Sequence, residues 1–221
     1  MKLSVLIPVF NEEATVRDIL DRVLAVPVDM EVAVVDDCST DGTWQVLQSI
    51  QEPRIRVFRH EANQGKGTGI VTALSHATGD LVIIQDADLE YEPNDYLKLM
   101  EPIVAGRARV VYGVRSLTGQ KTFVRLGNQF LTLATNLLYG SHVSDMETCY
   151  KMLPREVMLS LALQPSRFQI EPEITAKLLR KGYHIHEVPI SYQPRAAKKL
   201  NPWKDGLPAL WTLIKYRLVR V

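Results

Sequence analysis

Three short polar clusters carry most of the chemistry this sequence can offer: Asn11-Glu12, Asp36-Asp37 and Asp86-Ala87-Asp88. Glu90 follows the last of them, so Asp86, Asp88 and Glu90 place three carboxylates within five positions. Carboxylates that close repel one another unless something positive binds. Mg2+ or Mn2+, held by one or two carboxylates and by substrate phosphates, is the hard cation such ligands suit. The plainer alternative is an acidic turn after a strand. Asp36-Asp37 stands where α/β nucleotide proteins accept hydrogen bonds from a ribose or base, or where one Asp caps a helix. Gly65-Lys66-Gly67 offers backbone N–H groups and one cation to a phosphate. Its spacing is not that of a P-loop, and a plain turn would read the same way. Arg115, Arg125, Arg195, Lys198 and Lys199 are further cations available to phosphate. The histidines show no metal-ligand spacing with acids, and no Ser or Cys has a recognisable base partner.

The elements that must position these residues alternate. Short apolar runs rich in branched residues at 3–9, 31–35, 55–58, 81–84 and 110–112 read as strands. Between them, apolar positions at helical spacing predict helices over 16–24, 44–50, 67–77 and 95–104, the first capped by Asn11. Such alternation makes βαβ units and a mostly parallel sheet with helices on both faces. Ligands of such sheets bind beyond the carboxyl ends of the strands. The three acidic or amide clusters therefore converge on one edge. The second half is less regular: helices are predicted over 124–139, 156–161 and 171–181, a strand near an edge over 185–190 because Pro189 interrupts it, and a basic loop over 192–202. A final helix from about Leu207 carries Leu210, Trp211, Ile214 and Leu218 on one face.

Bulk properties narrow the class. The 221 residues are 46% hydrophobic and 23% charged with a net charge of +1, which suits an ordinary globular α/β domain. Cys38 and Cys149 form no close-spaced pair and fit a reducing, cytoplasmic compartment. The apolar start is too short for a signal peptide, and no run approaches the roughly 20 apolar residues that span a bilayer. Residues 181–221 hold eight Lys or Arg against Glu187 and Asp205, a local +6 that leaves −5 elsewhere. That basic end predicts an anionic partner or plain solvated surface. Nucleic acid is not expected.

As a set, MKLSVLIPVFNEE, EVAVVDDCSTDGT, NQGKGTG and LVIIQDADLEYEP resemble the family-2 glycosyltransferases of the GT-A (Rossmann-like) fold. Together with DMETCYKM, FQIEPEIT and EVPISYQPR, they look most like the dolichol-phosphate mannose synthase and polyprenyl-phosphate glycosyltransferase group. The resemblance implies one GT-A domain over 1–221, with a nucleotide-sugar and metal half at 1–115 and an acceptor half at 116–221. It implies that Pro8, Phe10 and Glu12 contact base and ribose, that Asp37 binds the nucleoside, and that Asp86, Asp88 and Glu90 bind metal and diphosphate, with Ala87 between them. Arg115, Arg125, Arg195 and Lys199 would grip sugar phosphate or the phosphate of a polyprenyl acceptor. Phe10 stands where relatives commonly have Tyr, and Glu90 where many have Gln.

The expected reaction is inverting transfer from a UDP- or GDP-sugar to a polyprenyl phosphate, whose oxygen is already anionic. A hydroxyl acceptor would need a base instead; Asp145 is the first candidate, with Glu147, Glu171 and Glu173 also available. A nucleotide-binding protein without turnover is the reading from a different class. The basic, amphipathic C-terminal segment would rest on a membrane surface or pack on the sheet.

Overall fold

The computed structural model describes residues 1–164, 169–194 and 202–219, with the side chains of 202–205 also outside the description. Arg195, Lys198, Lys199 and most of the expected basic loop therefore lie outside the described residues. Seven strands form one sheet: β1 (Leu3–Val9), β2 (Met30–Asp36), β3 (Ile55–Arg59), β4 (Leu81–Ile84), β5 (Val110–Arg115), β6 (Lys151–Pro154) and β7 (Ile185–Ile190). Their order is β3-β2-β1-β4-β6-β5-β7. β2 and β4 are buried along their whole length and β1 nearly so, as strands covered on both faces must be.

β6 runs antiparallel to both of its neighbours, β4 and β5, while the other pairings are parallel. All strands except β6 thus point the same way. The carboxyl ends of β1, β2, β4 and β5 share one edge with the amino end of β6, and this brings residues 145–150 to the edge that bears Asp86.

The helices are α1 (Val16–Leu24), α2 (Thr43–Gln48), α3 (Lys66–His76), α4 (Tyr96–Val104), α5 (Thr122–Tyr139), α6 (Arg155–Ser160), α7 (Ile170–Arg180) and α8 (Pro202–Leu218). Several boundaries differ from expectation. Asn11 does not cap α1, which begins after Thr15 without a side-chain cap. Its φ of 54° turns it into the left-handed region, and its Oδ1 accepts from Thr40 N at 2.8 Å. β6 was not expected at all, because it opens on a lysine. The terminal helix starts at Pro202 and continues through Pro208.

The apolar face expected on α8 is not its buried one. Ala209, Leu213 and Tyr216 are buried, whereas Trp211 is 65% and Leu218 78% exposed. α5 repeats this inversion. Leu131, Thr132 and Thr135 face inward, and Phe123, Leu126, Phe130, Leu133 and Leu137, spaced at three and four residues, are all more than half exposed.

Candidate active site

A strained residue marks the end of each strand that carries a cluster. Asn11, Cys38 and Leu89 all have positive φ, at 54°, 62° and 61°. Non-glycine residues hold this conformation only where their surroundings over-determine it, which happens most often at ligand sites. The loops are tied together as well: Asn11 N donates to Ser39 Oγ at 2.9 Å, and Glu12 N to Thr43 Oγ1 at 2.9 Å. Glu12 accepts from the Thr15 hydroxyl at 2.9 Å, and Phe10 stands at the rim, 37% exposed. Beside them, Pro8 lies against α3, where a Cβ on Gly69 would come 3.0 Å from the proline Cβ. That glycine lets the helix approach β1 closely.

Asp37 is buried, and its carboxylate is already engaged. It accepts from Gln64 N at 2.9 Å and Gly65 N at 2.7 Å, and pairs with His60 Nδ1 at 2.7 Å. Gly65 has φ 95°, a conformation that disfavours a side chain. Asp37 thereby fixes the turn from which Lys66 starts α3.

Lys66 reaches across the sheet edge. Its Nζ lies 2.7 Å from Asp86 Oδ1 and 2.7 Å from Glu171 Oε1. Burial would lower the lysine's pKa, but the two carboxylates outweigh it and hold it well above the ordinary value. Burial would likewise raise Asp86, but Lys66 keeps it below the usual carboxylate range. Two residues on, Asp88 Oδ1 accepts from Glu90 N at 3.2 Å, and Glu90 accepts from the Tyr192 hydroxyl at 2.7 Å. Ala87, between the two aspartates, is buried. The donors at this strand end are all hard carboxylate oxygens, which fits Mg2+ or Mn2+. Among the described residues no three His, Cys, Asp or Glu side chains already surround one metal-sized point, so phosphate oxygens would have to complete the shell.

The floor of the site is aromatic. Buried Gln85 accepts from both the Tyr96 and Tyr150 hydroxyls at 2.6 Å, and donates to Asp86 O at 2.8 Å. The Tyr91 ring stacks obliquely on Tyr150 at 4.6 Å, and its hydroxyl accepts from Cys149 N. These contacts hold the segment that delivers Asp86 and Asp88 against the antiparallel strand beside it.

Arg115 ends β5 and forms a two-pronged pair with Asp145, Nε to Oδ2 at 2.7 Å and Nη2 to Oδ1 at 2.8 Å, with both side chains buried. Both Asp145 oxygens are thus occupied. Glu147 differs: its Oε1 is buried and has no hydrogen-bond partner, and burial together with Glu171 raises its carboxyl above the ordinary range. Arg125 is half-buried in the first turn of α5. Glu173 lies elsewhere, bound by Lys177 Nζ at 2.6 Å and by the Tyr216 hydroxyl at 2.9 Å, where it joins α7 to α8.

The sequence model of glycosyl transferase family 2 matches residues 4–160. The chain belongs to that family. It is 28% identical over 206 residues to a dolichol-phosphate mannosyltransferase of Pyrococcus furiosus, covering 89% of this chain and 58% of that protein. Its identity to the UDP-N-acetylglucosamine–dolichyl-phosphate N-acetylglucosaminyltransferase of Methanococcus voltae is 26%, covering 85% of this chain and 84% of that one. The fold is that of glucosyl-3-phosphoglycerate synthase from Mycobacterium tuberculosis, solved with Mn2+, UDP and glucosyl-3-phosphoglycerate. The TM-score is 0.79 at 22% identity, over all of this chain and 81% of that one. The sheet is therefore a GT-A, Rossmann-like sheet, as the motif resemblance implies, and mostly parallel, as the alternation of elements predicts.

Some residues beside this candidate site were not legible in the sequence. Lys151 is fully buried, donates to Met146 O and Thr148 O, and lies 4.5 Å from the Tyr112 ring centre. Burial lowers its pKa, against the pull of Glu171 and Glu147. A lysine opening a four-residue strand carries no sequence signal of such a role. Gln85, next to the acidic cluster, could have been found from its place directly after a buried strand.

Proposed function

We propose that this chain transfers a sugar from a nucleoside-diphosphate donor to a polyprenyl phosphate, with a divalent metal bound at Asp86 and Asp88. The observation that carries this reading is the convergence of four strand ends and residues 145–150 on one edge. There a lysine, two hard carboxylates and a buried arginine surround the place where a sugar diphosphate would lie. Two relatives whose names specify dolichol or dolichyl phosphate support the acceptor.

In this reading Pro8, Phe10 and Glu12 line the nucleoside, and Asp37 serves it by shaping the Gly65-Lys66 turn. The acceptor's phosphate oxygen attacks the anomeric carbon as the bond to the diphosphate breaks, and the electron pair leaves with the diphosphate. Asp86 and Asp88, with Glu90 nearby, would hold Mg2+ or Mn2+, and the ion would supply positive charge to that leaving group. Lys66, on the same edge, would add its positive charge to that of the metal as the diphosphate leaves. Arg115 and Arg125, with Arg195 and Lys199 from outside the described residues, would hold sugar or acceptor phosphate. An anionic acceptor needs no base. A hydroxyl acceptor would need one, and the unpartnered Glu147 oxygen favours that as the second reading.

A lipid acceptor is presented at a membrane surface, and the paired stripes on α5 and α8 suit one. The two helices pack side by side, with the Tyr139 hydroxyl donating to Leu213 O at 2.6 Å. Their outward faces present Phe130, Leu133, Leu137, Leu207 and Trp211, flanked by exposed Lys121, Lys215 and Arg217. Exposed apolar area of this extent, rimmed by cations, fits the interfacial zone of an anionic bilayer. No helix among the described residues is long and apolar enough to cross a membrane.

The test is release of nucleoside diphosphate from UDP- and GDP-sugars with Mn2+ or Mg2+, with and without a short polyprenyl phosphate. Lipid-dependent release that vanishes in Asp88→Asn supports the proposal. Equal release with a lipid-free hydroxyl acceptor, abolished by Glu147→Gln, transfers it to the second reading.

A further inference from the structure

Lys66 stands between two carboxylates that come from distant parts of the chain. Its backbone is pinned, because Asp37 holds the amides of Gln64 and Gly65 immediately before it. Only the side chain is left to move. Its Nζ makes equal 2.7 Å contacts to Asp86 at the end of β4 and to Glu171 in the first turn of α7. The ammonium thus sits on a carboxylate oxygen that a divalent cation would need. A metal bound at Asp86 would meet a like charge at close range, and that repulsion is strong in a partly desolvated site. A sugar diphosphate arriving with the metal brings the negative charge that can draw the ammonium away.

We propose that Lys66 is an exchangeable counter-cation. In the donor-free protein it neutralises Asp86 while Glu171 anchors it. When metal and diphosphate bind together, it leaves both carboxylates and pairs with the diphosphate. Glu171 is then a positioning residue that competes with the diphosphate for Lys66. This inference rests on the reading of the Asp86 edge as the donor site and adds to it a reason for metal and diphosphate to bind together rather than singly.

Two ligands test it without turnover: Mn2+ alone, titrated by electron paramagnetic resonance, and inorganic pyrophosphate at saturating Mn2+, titrated by calorimetry. Exchange predicts opposite shifts in Lys66→Met, with Mn2+ alone binding about tenfold tighter and pyrophosphate about tenfold weaker, as loss of one close charge contact implies. Lys66→Arg, which keeps the charge, should leave Mn2+ binding near wild type. Glu171→Gln should bind pyrophosphate several-fold tighter, and that gain should disappear in the Lys66→Met background. Circular dichroism of each variant confirms folding, and Lys66→Gln, which removes the same charge and should show the same opposite shifts, carries the test if the methionine variant does not fold. A wild-type ammonium that stays on Asp86 would leave pyrophosphate binding unchanged in Lys66→Met, and a gain in Glu171→Gln that persists without Lys66 would be generic electrostatics; either result overturns the exchange alone. Wild-type protein that binds neither Mn2+ nor pyrophosphate would overturn the donor-site reading as well.

Discussion

Replacing Asp145 by Asn tests how far Arg115 depends on its partner. In the native pair, Nε and Nη2 of Arg115 reach the two carboxylate oxygens at 2.7 and 2.8 Å, and Arg115 N adds a longer contact at 3.2 Å. The arginine side chain is 6% exposed and the aspartate 2%. Asparagine keeps the shape but presents an NH2 group to one guanidinium N–H, so one charge-assisted bond, worth about 1.5–3 kcal/mol, becomes a donor facing a donor. The guanidinium also loses its countercharge, and breaking a buried pair costs about 3–5 kcal/mol in total. The Tyr192 ring, 5.2 Å from the guanidinium carbon, offsets about 1 kcal/mol of this through its face. The expected loss is therefore about 3 kcal/mol, read as the change in unfolding free energy from urea titration at constant slope. For a chain of this size that corresponds to a fall in Tm of roughly 6–12 °C. The apolar pair Arg115→Met with Asp145→Leu should be more stable than Asp145→Asn alone, because no unpaired charge remains buried. A loss below about 1 kcal/mol in Asp145→Asn, or a double variant less stable than the single, would refute the claim that this pair needs both partners.

Glu31 gives a pH dependence of known sign. It accepts from Ser4 Oγ at 2.7 Å and Thr78 Oγ1 at 2.6 Å, and pairs with Lys2 at 2.9 Å. Burial would raise its pKa, but these partners lower it from 4.5 to about 2. A depressed carboxylate contributes stability that is full above its unfolded pKa and lost as pH falls through the folded one. Wild-type urea midpoints should therefore drop between pH 4.5 and 2, and Glu31→Gln should flatten that part of the profile while losing about 2 kcal/mol at pH 7. On α5, whose exposed apolar stripe we propose meets lipid, Phe130→Ser with Leu133→Ser should abolish co-sedimentation with anionic vesicles while leaving the melting temperature near wild type. Retained co-sedimentation would show that these stripes do not contact lipid.

The acidic edge was legible because parallel strands buried on both faces write their boundaries directly. The apolar runs of β1, β2 and β4 end at Phe10-Asn11, Asp36-Asp37 and Gln85-Asp86, so the clusters and their common edge followed from periodicity and the direction of βαβ units. β6 was not legible, since its buried Lys151 is satisfied by Met146 O and Thr148 O, contacts that no local pattern announces. On α8, the spacing of Leu210, Trp211, Ile214 and Leu218 shows an apolar stripe but not what the stripe faces. The packed helix turns Ala209, Leu213 and Tyr216 inward instead.

What the sequence determined by itself was local and periodic: which runs are strands, where each one meets its polar end, and that several ends share an edge. It also determined, through its motifs, the family. The tertiary structure decided what depends on residues far apart in the chain. Reversal of the chain at β6 brings Asp145 to Arg115, and the placing of α7 brings Glu171 to a lysine 105 positions before it. Hydrophobic periodicity is set by neighbours three or four positions away, whereas a salt bridge across the sheet edge is set by topology, and only the folded chain expresses it.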